Sequence, residues 1–101
     1  MTNRHYMVTF DISPSYGRTN DYPKVDAALQ FRFGAQNFWK PLKQVRIIRT
    51  NQDARAIRDT LSQALGSGCR ILVVRLRRGY AFKLSNPQDR AEAQKRLQEI
   101  I

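Results

Sequence analysis

Residues 5–12 alternate strictly. Tyr6, Val8, Phe10 and Ile12 occupy one parity, and His5, Met7, Thr9 and Asp11 the other. Successive side chains of a strand point to opposite faces, so this segment reads as a strand with one apolar face. Such a strand needs an element laid across it. After a basic loop at residues 13–20, carrying Pro14 and Gly17, the spacing of Tyr22, Val25, Leu29 and Phe33 predicts a helix with one apolar stripe. Pro23 fits its first turn, and Gly34 ends it by supplying a left-handed conformation.

Two short strands are expected next, at residues 36–42 and 44–50, with a turn near Pro41 and Lys43. Asn51 is a suitable N-cap for a second helix, and Asp53 favours the positive end of that helix. Ala54, Ile57, Leu61, Ala64 and Leu65 share its apolar face, and Gly66-Ser67-Gly68 breaks it. Residues 69–76 are apolar at both parities, which reads as an inner strand. Asn86 and Pro87, with Asp89, start a terminal helix over residues 87–101. The resulting order is an α+β, ferredoxin-like βαββαβ antiparallel sheet with a C-terminal helix, in a single domain over residues 1–101. Two helices cover one face of that sheet. The other face calls for the terminal helix or a second subunit, and a homodimer is the expectation.

No apolar run is long enough to cross a bilayer, so no membrane partner is expected. One cysteine, Cys69, cannot form an internal disulfide, which suits a reducing, cytoplasmic location. One histidine and one cysteine do not make a zinc site, and Gly66-Ser67-Gly68 precedes a strand, the wrong place for a phosphate loop. Charge points more firmly. Eighteen Lys and Arg stand against eight Asp and Glu, a net +10 and a pI near 10.7. Most of these cations are arginine, whose planar fork matches phosphate oxygens. Nucleic acid, DNA or RNA, is the expected partner.

The candidate contacts interleave cations with aromatics. Arg75, Arg77 and Arg78 run into Tyr80 and Lys83, Arg46 and Arg49 lie on the preceding strand, and Lys40 and Lys43 sit beside Trp39. Trp39 and Phe82 are expected to fill the core or a dimer contact, while Tyr80 suits a base stack equally well. Asp11 is the one acid placed for chemistry. At the end of its strand it could hold a divalent cation such as Mg2+ and serve catalysis, and two copies across a dimer axis could share one ion. Its simpler role is to accept backbone hydrogen bonds at a turn.

Tyr6-Met7-Val8-Thr9-Phe10-Asp11-Ile12-Ser13 resembles the opening strand of CRISPR-associated Cas-two proteins, and residues 44–50, 54–65 and 70–76 resemble the rest of that core. The likeness is closest to a stand-alone branch that includes VapD-like proteins. It implies a sheet-packed homodimer that binds duplex DNA or cleaves nucleic acid with a metal, Asp11 matching the metal-associated aspartate. Gln44 to Thr50 lacks the glutamate of the family pattern, and the terminal helix replaces a swapped strand. A toxin-like endoribonuclease and a basic adaptor for an acidic protein are the rival functions.

Overall fold

A computed structural model describes residues 3–12, 22–66, 69–77 and 85–98. The expected loop at residues 13–20, the aromatic Phe82 and the site candidates Arg78, Tyr80 and Lys83 lie outside them. Four strands, β1 (Arg4–Ile12), β2 (Phe38–Leu42), β3 (Val45–Thr50) and β4 (Cys69–Arg75), alternate with α1 (Tyr22–Phe33) and α2 (Ala54–Leu65), and α3 (Pro87–Leu97) follows β4. The sheet order is β2-β3-β1-β4 with every neighbouring pair antiparallel. This is the ferredoxin-like arrangement expected.

Register sorts the side chains into two faces. Val8 stands between Arg46 and Val73, and Tyr6 between Ile48 and Arg75. These share a face with Phe10, and α1 and α2 cover it with Val25, Leu29 and Phe33 and with Ile57, Leu61 and Leu65. Both helices bury residues four apart, so each presents one narrow stripe. Val8, Val25, Leu29, Ile48, Ile57 and Leu61 are completely buried, and each contributes about 1.5–3 kcal/mol of transfer free energy.

Local chemistry moves two boundaries from the sequence expectation and keeps a third. The segment before β2 is a 3-10 turn, Ala35–Asn37, because Asn37 Nδ2 donates to the Phe33 carbonyl at 2.8 Å and ties the chain to the end of α1. Gly34 makes that turn possible with φ at 93°. The cap of α2 is Asp53 instead of Asn51. Thr50 Oγ1 accepts from the Gln52 N–H, carrying the chain through a bend before Asp53 accepts from the Ala56 N–H at 3.1 Å. In α3, Asn86 accepts from the N–H groups of Gln88 and Asp89, as its sequence suggests.

β4 is an edge strand, not an inner one. Its two apolar parities have different causes. Ile71 and Val73 lean into the helix-covered core, while Leu72 and Val74 stand 58% and 41% exposed on the other face. The Leu76 N–H donates to the His5 carbonyl at 2.8 Å. Antiparallel alternation then aims the backbone groups of Leu72 and Val74 at β1, and those of Ile71, Val73 and Arg75 outward. That outer edge has no strand beside it among the described residues. β2 forms the opposite edge, where Pro41, which has no N–H, is tolerated beside a bulge.

The second face of the sheet is partly covered. α3 buries Ala93 and Leu97, and Arg96 Nη1 donates to the Gln36 carbonyl at 3.2 Å, which places the end of α3 over β2 and β3. Leu42, Leu72 and Val74 remain exposed. No helix among the described residues is long and apolar enough to cross a membrane.

Candidate nucleic-acid interface

Three strands end together. In register, Arg4 pairs with Thr50, His5 with Arg49, and Tyr6 with Arg75, and Arg77 follows two residues beyond. α2 begins just after β3, so Arg55 in its first turn and the positive end of the helix dipole join the same end of the sheet. Arg49, Arg55, Arg75 and Arg77 are exposed. None of the four has an acidic partner among the described residues. The acid nearest Arg55 in sequence, Asp53, is occupied as the cap of α2. Arg49, level with His5, stands on the open face and Arg75, level with Tyr6, on the helix side, so guanidinium groups ring this end on both faces, with no ion pair among the described residues.

The sequence candidates divide among several places. Arg49, Arg75 and Arg77 belong to the basic end. Lys40 lies on the far edge strand. Lys43 is in the β2–β3 turn at the other end of the sheet, its Nζ 5.7 Å from the centre of the Tyr22 ring.

Arg46 is not a surface contact at all. It points into the helix-covered core and is completely buried. Its Nε donates to Asp26 Oδ1 of α1 at 2.6 Å, and its Nη1 donates to the carbonyls of Leu42, Lys43 and Val45 at 3.0 Å each. The guanidinium carbon also lies 5.1 Å from the centre of the Phe10 ring. Nη2 is buried with no hydrogen-bond partner among the described residues. This side chain holds α1 and the β2–β3 turn to the sheet and has no path to a phosphate.

Asp11 is remote from the basic end. From His5 to Asp11 along β1 is about 20 Å at roughly 3.3 Å per residue. Asp11 is exposed, and Arg70 lies opposite it in register on β4. No group of three His, Cys, Asp or Glu side chains able to hold a metal occurs among the described residues. Among the described residues Asp11 is the one carboxylate there, level with Arg70, and a magnesium ion needs several oxygen ligands.

Sequence reasoning missed two groups of residues. Arg4 and Arg55 belong to the basic end. Arg55 has a signal in the sequence, since it falls off the Ile57–Leu61–Leu65 stripe in the first turn of its helix. The second group surrounds Trp39, which lies outside the helix-covered core. It is half-buried on the open face, in a cavity of about 280 Å³ shared with His5, Ile47, Arg49, Lys95 and Arg96. Arg96 is held there by Glu92, Nε to Oε1 at 2.8 Å, and by the Gln36 carbonyl. That hydrogen bond, chiefly, keeps the Glu92 carboxyl below its ordinary pKa. No protein-family model, curated protein or solved structure matches the chain.

Proposed function

We propose that the chain binds nucleic acid through its phosphates, without reading sequence, and does so as a homodimer joined through the β4 side of the open face, which leaves the β2 side free. The observation that carries the reading is the convergence of exposed Arg49, Arg55, Arg75 and Arg77 from three elements at one end of the fold. Guanidinium groups at that density attract a polyanion and gain from counterion release. The likeness of the first strand to Cas-two proteins supports the same reading. Exposed Leu72 and Val74 support the dimer, since a second copy of this small domain would cover them with an equally apolar surface. The reading includes no cleavage step through Asp11.

The test is a salt titration of duplex DNA affinity. Each phosphate contact contributes about −0.9 to the logarithmic slope, so replacing Arg49, Arg75 and Arg77 with alanine should flatten it by about 2.7 if each meets one phosphate. Unrelated sequences should be weakened equally, because phosphate contacts carry no base information. The melting temperature should hardly move, these side chains being exposed. An unchanged slope with unchanged affinity would refute the assignment.

A further inference from the structure

The cavity beside Trp39 differs from the rest of the basic surface because it is concave and has an aromatic wall. Trp39 and Ile47 supply apolar surface from β2 and β3, while Arg49, Lys95 and Arg96 supply positive charge around it. No Asp or Glu among the described residues lines it. Arg96 already binds Glu92 and a backbone carbonyl, which fixes its position and largely offsets its charge, so Arg49 and Lys95 are the cations left to meet an anion. Arg49 and Lys95 are exposed side chains on opposite walls, one from the sheet and one from α3. About 280 Å³ is at the small end of ligand cavities, which run to roughly 300–1,000 Å³. A volume of that size accommodates one base and its sugar.

An indole beside two cations matches the two halves of a nucleotide. Bases stack on aromatic side chains whatever their identity, and phosphate pairs with Arg and Lys. A duplex cannot present a base to such a cavity without opening, whereas a strand end, an unpaired base or a free nucleotide can. We infer that this cavity binds a single nucleotide, its base against Trp39 and its phosphate between Arg49 and Lys95. The inference rests on the nucleic-acid reading above and adds a preference for unpaired nucleotides. Free mononucleotide and single strand share the chemistry, and the experiment distinguishes them.

Trp39 is the only tryptophan in the chain, so its fluorescence reports on the cavity directly. The full-length protein is titrated with adenosine 5′-monophosphate, with adenosine, with inorganic phosphate, and with a single-stranded tetranucleotide. Saturable quenching is expected with the monophosphate, the tetranucleotide or both, with adenosine and phosphate each at least about tenfold weaker. Quenching by the tetranucleotide alone assigns the site to strands, and quenching by the monophosphate at equal strength assigns it to free nucleotides. Arg49→Gln and Lys95→Gln, both on exposed side chains, should each weaken binding about tenfold. Absence of saturable quenching by either ligand would overturn the inference, as would quenching indifferent to both substitutions. Calorimetric titration of the same ligands measures the same binding without relying on the indole. Duplex binding with its steep salt slope would survive that failure. Loss of the duplex result would instead refute the basic-end reading while the mononucleotide result stood.

Discussion

Asp26→Ala should be among the most damaging single substitutions in this domain, although Asp26 lies on a helix near solvent. The cause is Arg46, whose guanidinium is completely buried. Removing one member of a buried ion pair costs about 3–5 kcal/mol, because the remaining charge is left uncompensated. Two features place this case at the low end. Asp26 retains 27% side-chain exposure, so water can replace part of the carboxylate, and three carbonyls continue to hold Nη1. We expect a loss of about 3 kcal/mol, a large part of the ~5–15 kcal/mol typical of a domain. For a chain of about 100 residues this lowers the melting temperature by roughly 12–24 °C. Urea melts followed by circular dichroism measure it, and Asp26→Ala combined with Arg46→Met should recover part of the loss by removing the stranded charge. A single-variant loss under about 0.5 kcal/mol would refute the reasoning and show that the carbonyls alone stabilise the guanidinium.

Two further outcomes follow from other contacts. Glu92 has its folded pKa lowered from 4.5 by Arg96, so the stabilisation it gives α3 is present above 4.5 and is lost as pH falls through the lowered value. The protection of α3 amides, measured relative to their intrinsic exchange rates at each pH, should therefore fall in acid, and Glu92→Gln should remove that dependence; an identical acid response in both proteins would contradict it. The proposed dimer should dissociate when Leu72 and Val74 are both replaced by glutamate, seen by light scattering as a shift to 11.8 kDa; an unchanged mass would place the interface elsewhere.

The parts of the fold legible in the sequence are those with a single periodicity. β1 alternates cleanly, and α2 carries Ile57, Leu61 and Leu65 on one stripe, so each pattern shows both the element and its buried side. β3 is ambiguous because Val45 and Ile47 are apolar on one parity and Ile48 on the other. Nothing local tells which face the helices will cover, so Arg46 reads as a surface cation although it shares a face with Ile48. Its partner, Asp26, lies on a different element, and such a pairing has no sequence period. β4 reads as central because apolarity on both faces resembles centrality, yet here one face is core and the other is open. The basic end is half visible: Arg75 and Arg77 are close in sequence, but only the sheet register puts Arg49 at the same end, on the other face.

The outer edge of β4, which has no strand beside it among the described residues, gives salt two opposite effects. Its outward backbone groups, on Ile71, Val73 and Arg75, form an incomplete ladder that another extended chain could continue, and the apolar run between Arg70 and Arg75 would favour such stacking. Charge is the guard, since two such edges approaching each other bring their arginines together. At physiological ionic strength the screening length is about 8 Å, and at about 1 M it falls to roughly 3 Å. Concentrated salt therefore disarms the repulsion that keeps such edges apart, and under the proposed nucleic-acid reading it also strips away the polyanion, so purification in high salt should trade nucleic-acid contamination for self-association.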